Sequence, residues 1–288
     1  MTVAPDVAWR LDAQLGEGPL WLAREAALYF VDIHRGDIHR YHPDSDDRQT
    51  LHVGGSPSFI VPAADGGLLV GSRDRVHRLE HGQLGRVIAT IPQPSTNRTN
   101  DATVDPFGRV WFGTLDETER APIGAVWCLA HGTLHRAGGA AIVTNGPAVS
   151  ADGRVLYHVD TLRRTIWRFP LRPEPELSDG EVFVQLTDDE GYPDGVSIDS
   201  EDCLWVALWD GWGVRRYAPD GRLLLHLPFP CARVTKLALG GPQRRTAYVT
   251  TARTGLDAAQ LTAQPMAGSL FRFEAPAAGL ALPAAIVA

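Results

Sequence analysis

The sequence predicts an all-β fold, a six-bladed β-propeller, and three observations predict it. Segments with a helical apolar period are nearly absent. Short apolar strands punctuated by Gly, Pro and Asp recur along the whole chain. These strands fall into a repeat of 41 to 49 residues, close to the roughly 40–45 that a four-stranded propeller blade needs.

Each repeat carries one strongly apolar strand: ALYFVD (27–32), GLLVGS (67–72), RVWFGT (109–114), VLYHVD (155–160), LWVALW (204–209) and AYVTTA (247–252). A further strand of common pattern follows it, as in DIHRY (37–41), TIWRF (165–169) and SLFRF (269–273), and tight turns such as DPFGR and SADGR precede it. Counting back from the apolar strand marks one anchor per repeat: Glu17, Ser58, Asn100, Asn145, Asp194 and Thr235, spaced 41, 42, 45, 49 and 41 residues apart. Each anchor is expected just ahead of the innermost strand of its blade. Six copies lie within the roughly four to eight blades that propellers use. The outer strands are read in RQTLHV (48–53), RVIATI (86–91), EVFVQL (181–186) and LLLHLP (223–228), while TLHRAGG after blade three is a weaker candidate. VAWRLDAQ (7–14) has no blade before it. It is therefore expected to pair with 269–274 as the outer strand of blade six, closing the ring and removing an exposed edge. Residues 1–288 then form a single propeller domain without an internal linker.

Composition narrows the function classes. The chain has 27 Lys and Arg against 34 Asp and Glu, a formal charge of −7, so it has no basic footprint for nucleic acid or anionic membrane. The N-terminus MTVAPDVAWR lacks the pattern of a secretory signal, and the most apolar stretch, APAAGLALPAAIVA, is too short to span a bilayer and holds two prolines. Cys128, Cys203 and Cys231 lie far apart with no CxxC pair, which argues against a disulfide framework or zinc-thiolate site and suits a reducing cytoplasm. A cytoplasmic protein, monomeric or weakly oligomeric, is expected.

The anchors enter the central channel from one end, so residues remote in sequence converge there. Glu17, Asn100, Asn145 and Asp194 bring two carboxylates and two amides together with Ser58 and Thr235, and no lysine is read among them. Such a set would repel itself unless a cation sat between its members. Hard oxygen donors suit Ca²⁺, Mg²⁺ or Mn²⁺, with Zn²⁺ or Fe²⁺ also compatible. Asn145 of TNGPAVSADG then acts as a neutral oxygen ligand on a loop shaped by Gly146 and Pro147. Taken alone, Asn145-Gly or Asp194-Gly is an ordinary turn and Glu17 a solvated loop residue; their equivalent positions in a ring are what favour a metal. The histidines, His39 and His77 among them, are read mostly as blade-surface residues, and Trp111, Trp127, Trp167 and Trp205 as inter-blade core. No GxSxG, GxxxxGK[ST] or HExxH motif is present, and GWG at 211–213 lacks a dinucleotide-binding context.

GEGPLW (16–21), NRTNDATVDPFGRVWFGT (97–114), TNGPAVSADG (144–153), YPDGVSID (192–199) and VTKLALGG (234–241) together resemble the gluconolactonase/regucalcin family, also called senescence-marker-protein-30-like, and within it bacterial aldonolactonases such as xylonolactonase. The resemblance runs over essentially the whole chain. It implies a six-bladed propeller with one divalent metal in the channel, held by Glu17, Asn145 and Asp194. It implies substrate contacts from Arg98, Asn100 and Asp101, and from a glutamate after the GT of blade three, where Glu117 and Glu119 compete. The implied activity is hydrolysis of an aldonolactone to the aldonic acid. The metal would polarise the carbonyl, Asp194 would act as ligand and as general base on water, and Arg98, Asn100 and the glutamate would bind sugar hydroxyls. Rival readings are a metal-dependent esterase of aryl esters or organophosphates, a calcium-binding protein without turnover, and a scaffold binding a protein partner on its face.

Overall fold

A computed structural model describes residues 4–287; residues 1–3 and 288 of the expected domain span lie outside the described residues. The chain folds into six four-stranded antiparallel sheets. The inner strands of the blades are Gly16–Leu22, Pro57–Pro62, Asn97–Val104, Thr144–Val149, Tyr192–Ile198 and Val234–Gly240. Each packs against the inner strands of both neighbouring blades, the last against the first, so the six line one central channel.

The ring closes as the sequence predicts. Asp6–Trp9 pairs antiparallel with Leu270–Glu274 and completes blade six. The pairing is shorter than the expected 7–14, because the chain turns at Asp12, with φ 60°, before entering blade one. Trp9 also reaches blade one, where its ring meets those of Phe30 and His39 at 5.8 and 5.4 Å. This corrects the surface reading of His39, which is buried under the closing strand with Nδ1 against Thr50 Oγ1 at 2.9 Å. Burial lowers its pKa.

The core lies between the faces of adjacent sheets. Val61 and Phe59 of blade two meet Phe112 and Leu129 of blade three, and Trp205 and Val214 of blade five meet Val249 and Phe271 of blade six. Trp111 and Trp205 are fully buried, and each indole N–H donates to an aspartate six residues earlier, Asp105 at 2.8 Å and Asp199 at 2.9 Å. That bond satisfies the one polar atom a buried tryptophan carries. Trp127 is also core, but Trp167 is only half-buried, because its blade position faces outward beside Phe169. TLHRAGG proves to be part of the outer strand Thr133–Ala141, nine residues long. Gly138 and Gly139 carry positive φ and break its register, which is why its alternation looked weak.

Beyond blade six the C-terminal segment crosses the far end of the channel. Gly279 bridges to Asp199 of blade five, and Ala285 to Ala63 of blade two. Those blades stand three apart in a ring of six, so the segment spans a diameter. Between it and the lower halves of the inner strands lies a cavity of about 460 Å³, lined by Leu20, Val104, Ile198, Leu239, Leu280 and Leu282 among others. Among the described residues no helix is long and apolar enough to cross a membrane.

Candidate active site

All six anchors lie on the inner strands rather than ahead of them, and every inner strand is bulged at its anchor. In blade one Glu17 faces Val31 while Leu20 faces Tyr29, so Gly18 and Pro19, two residues, oppose the single Phe30. The same slip occurs between Thr99 and Ala102, between Asn145 and Ala148 and between Pro193 and Val196. Blades two and six slip between Pro57 and Phe59 and between Val234 and Lys236. A bulge bends the strand and re-aims a side chain that regular pleating would point into a neighbouring sheet. Six bulges at one level therefore build one layer of side chains across the channel. The Asn145–Gly146–Pro147 stretch belongs to that bulge and not to a loop. Gly146 has φ 67°, which a side-chain-bearing residue adopts only with strain.

Four anchors carry the polar chemistry and two tie the ring. Ser58 Oγ donates to Thr99 Oγ1 at 2.9 Å, and Thr235 Oγ1 donates to the Gly16 carbonyl at 2.6 Å, each joining neighbouring blades. Asn100 Nδ2 donates to Asn145 Oδ1 at 2.8 Å and to the Thr144 carbonyl at 2.7 Å, while its Oδ1 accepts from Arg98 at 2.8 Å. Asn145 Nδ2 donates to Thr161 Oγ1 at 2.9 Å, which turns the Asn145 oxygen toward Asn100.

The carboxylates are the electrostatic problem of the site. Glu17 and Asp194 are each only 5% exposed. Glu17 accepts one hydrogen bond, from Gly18 N at 2.8 Å. Among the described residues neither has an ion-pair partner within 4.0 Å. Burial, then the charge of Asp101, pushes Glu17 up to about 8. Burial, then the charges of Glu17 and Asp101, pushes Asp194 well above the ordinary carboxylate range. Two buried carboxylates opposed only by the more distant charges of Lys236 and Arg98, with Asn145 at the equivalent place of a nearby inner strand, form a donor set that fits a hard divalent cation. Among the described residues no three His, Cys, Asp or Glu side chains gather as a metal site.

One premise of the sequence reading needs correction: a lysine does enter the channel. Lys236 follows the anchor Thr235 and forms an ion pair with Asp101 through Nζ and Oδ1. Asp101 and Lys236 are 2% and 6% exposed. Burial raises the Asp101 carboxyl and the lysine opposes that rise.

Arg98 and Glu117 form one side of the mouth. Burial lowers the Arg98 pKa, and its Nε lies 3.6 Å from Glu117 Oε1. Arg73 of blade two approaches the other Glu117 oxygen at 3.1 Å. Asp116 shapes this loop by accepting from the backbone of Thr118, Arg120 and Ala121, each at 3.0 Å. Glu119 sits at the turn with φ 52°, exposed and without an ion pair among the described residues. The structure thus brings Glu117, not Glu119, beside Arg98. Arg73, Thr161 and Lys236 were absent from the sequence reading. Only Lys236 left a signal, since it follows its anchor as Asp101 follows Asn100.

A profile described as the SMP-30/gluconolactonase/LRE-like region matches residues 15–253. The chain is similar to a 6-deoxy-6-sulfogluconolactonase of Pseudomonas putida, 34% identical over 280 residues, covering 95% of this chain and 96% of the relative. It is similar to an L-arabinolactonase of Azospirillum brasilense, 35% identical over 274 residues, covering 93% and 90%. A solved structure of regucalcin from Agrobacterium tumefaciens, described as a calcium-binding protein, matches with a TM-score of 0.92 at 26% identity, covering 98% of this chain and 97% of that one.

Proposed function

Because the chain belongs to the SMP-30/gluconolactonase/LRE-like family, we propose that it is a sugar lactonase that opens a xylonolactone- or gluconolactone-type ring to the aldonic acid. One divalent cation is held by Glu17, Asn145 and Asp194. The observation that carries this reading is a pair of buried carboxylates, Glu17 and Asp194, that have no ion-pair partner within 4.0 Å among the described residues and share the anchor level with Asn145. A cation bound there supplies Lewis-acid polarisation of the lactone carbonyl and charge for the oxyanion that develops. Its identity is left to hard ions such as Ca²⁺, Mg²⁺ and Mn²⁺, with Zn²⁺ and Fe²⁺ as alternatives.

The protein groups divide the remaining work. Asp194 takes the proton of the attacking water. Arg98, Asn100 and Glu117 hold the sugar hydroxyls, with Arg98 and Asn100 already locked together at 2.8 Å. A mouth built from Asn, Arg and Glu favours a polyol over the aryl or organophosphate substrates of an esterase. The three cysteines are free and buried, in keeping with a cytoplasmic protein.

The test is a panel of aldonolactones followed by acid release, after chelation and re-addition of single metal ions. We expect turnover that vanishes with the ion and returns with one or two of them. Undiminished turnover in excess EDTA, with no metal by elemental analysis, overturns the metal role. Ion binding without turnover of any lactone would favour the calcium-binding reading that the regucalcin likeness suggests.

A further inference from the structure

One layer beneath the anchors, the residues that follow them are Gly18, Phe59, Asp101, Gly146, Gly195 and Lys236. Asp101 belongs to blade three and Lys236 to blade six, which face each other across the ring. Their side chains meet, so the ion pair spans the channel as a strut. Gly195 at this level makes room for it. A Cβ on Gly195 would lie 2.6 Å from both Cβ and Cγ of Lys236. Asp101 Oδ1 also accepts from Ala102 N at 3.1 Å, whereas its Oδ2 is buried with no hydrogen-bond partner.

The strut alters the charge that a cation meets. Glu17, Asp194 and Asp101 bring three negative charges to the channel, and Lys236 returns one positive charge. Counting the anchor and strut layers alone, the balance is minus two, the charge that a divalent ion neutralises; at the rim Arg73 and Arg98 flank the single carboxylate of Glu117.

Resting on the lactonase reading above, we propose that Lys236 is a positioning residue that draws Asp101 down, away from the anchor layer, and so matches the site to a divalent cation. Asp101 then serves as half of the strut and not as a sugar contact. Without the lysine, the free Asp101 oxygen would join the donors and the site would carry three negative charges. Where Glu17 and Asp194 are ionised, loss of the lysine's charge deepens the negative potential that a divalent ion meets, so its binding tightens.

The test is calorimetric titration of the metal-stripped protein with Ca²⁺ at about pH 9, above the value of about 8 to which burial raises Glu17, on the parent, Lys236→Met, Asp101→Asn and the double variant. We expect Lys236→Met to bind about tenfold tighter or more and Asp101→Asn about tenfold weaker or more. The double variant, with the same net charge as the parent, should return to within a few-fold of it. Competition with Tb³⁺ should show Lys236→Met shifted toward the trivalent ion. A strut that only stabilised the fold would weaken binding in both single variants, and that result overturns the inference. So does calcium affinity equal to the parent's in Lys236→Met. If that variant does not fold, Asp101→Asn and the double variant decide: rescue in the double supports the inference, and equal affinities in the two overturn it. A parent that hydrolyses lactones but binds no divalent ion overturns the inference and the metal role; a parent that binds the ion but turns over no lactone overturns the lactonase reading alone.

Discussion

Replacing Asp194 with Asn separates its two proposed duties. Asn is nearly isosteric, and the bulge between Pro193 and Val196 holds the backbone, so an oxygen remains in the anchor layer. What is lost is the capacity to take a proton. The neighbouring carboxylates are poorly placed to substitute: Asp101 is bound to Lys236, and Glu17 accepts from Gly18 N and has its own proposed role at the ion. Removing a general base costs about 10²–10⁴-fold, or about 2.7–5.4 kcal/mol of barrier at about 1.36 kcal/mol per decade. With no free carboxylate in reserve, we expect the upper half of that range, about 10³–10⁴-fold in kcat. The assay is kcat at saturating lactone and saturating metal, with occupancy confirmed by elemental analysis. A rate within a few-fold of the parent at full occupancy would refute the base role and leave Asp194 a ligand alone.

The other predictions concern the ion, the ring and pH. Glu17→Ala should lose more calcium affinity than Asn145→Ala, because a charge outweighs a neutral amide, with both variants retaining the β-sheet circular dichroism of the parent; equal losses would count against this donor set. Deleting residues 1–9 bares the edge of Leu270–Glu274 and removes Trp9 from Phe30 and His39. Loss of a packed tryptophan costs about 3–5 kcal/mol, so the melting temperature should fall by about 6–20 °C, and an unchanged value would refute strand closure. For the ion-free protein, Glu17 is raised from 4.5 to about 8, so between these values the folded state holds a proton that the unfolded state has released. Stability therefore falls as pH rises through that window. Melting of the chelated protein should drop by about 5 °C or more from pH 5 to pH 8. Added Ca²⁺ should reverse the drop, Glu17→Gln should flatten it, and a flat profile in the parent would refute the assignment.

The blade count and the ring closure were legible in the sequence because apolar strands and turns recur at one period. Glu17, Asn145 and Asp194 were legible because they recur at equivalent places. The inner strands were harder to read. Each is buried on both sides and bulged at its anchor, so neither period-two alternation nor a turn signal marks where it begins. Lys236 was hidden for a related reason: its importance comes from facing Asp101 across the ring, 135 residues away in sequence. The choice between Glu117 and Glu119 depended on how Asp116 folds a loop, which no local propensity encodes. The C-terminal segment has no periodicity, and only its bridges to Asp199 and Ala63 reveal what it does.

That segment makes the propeller a flask, not a pipe. Its neck holds Arg98, Asn100 and Glu117, the Asp101–Lys236 strut crosses below, and the chamber of about 460 Å³ beneath is stoppered by residues 279–284. Under the proposed reaction, a neutral ring that entered by the neck and opened inside would become an anion and would leave past the same guanidiniums that received it. Arrival and departure therefore take turns at one door, and the Arg73–Glu117–Arg98 edge of that door meets the molecule both before and after its charge has changed.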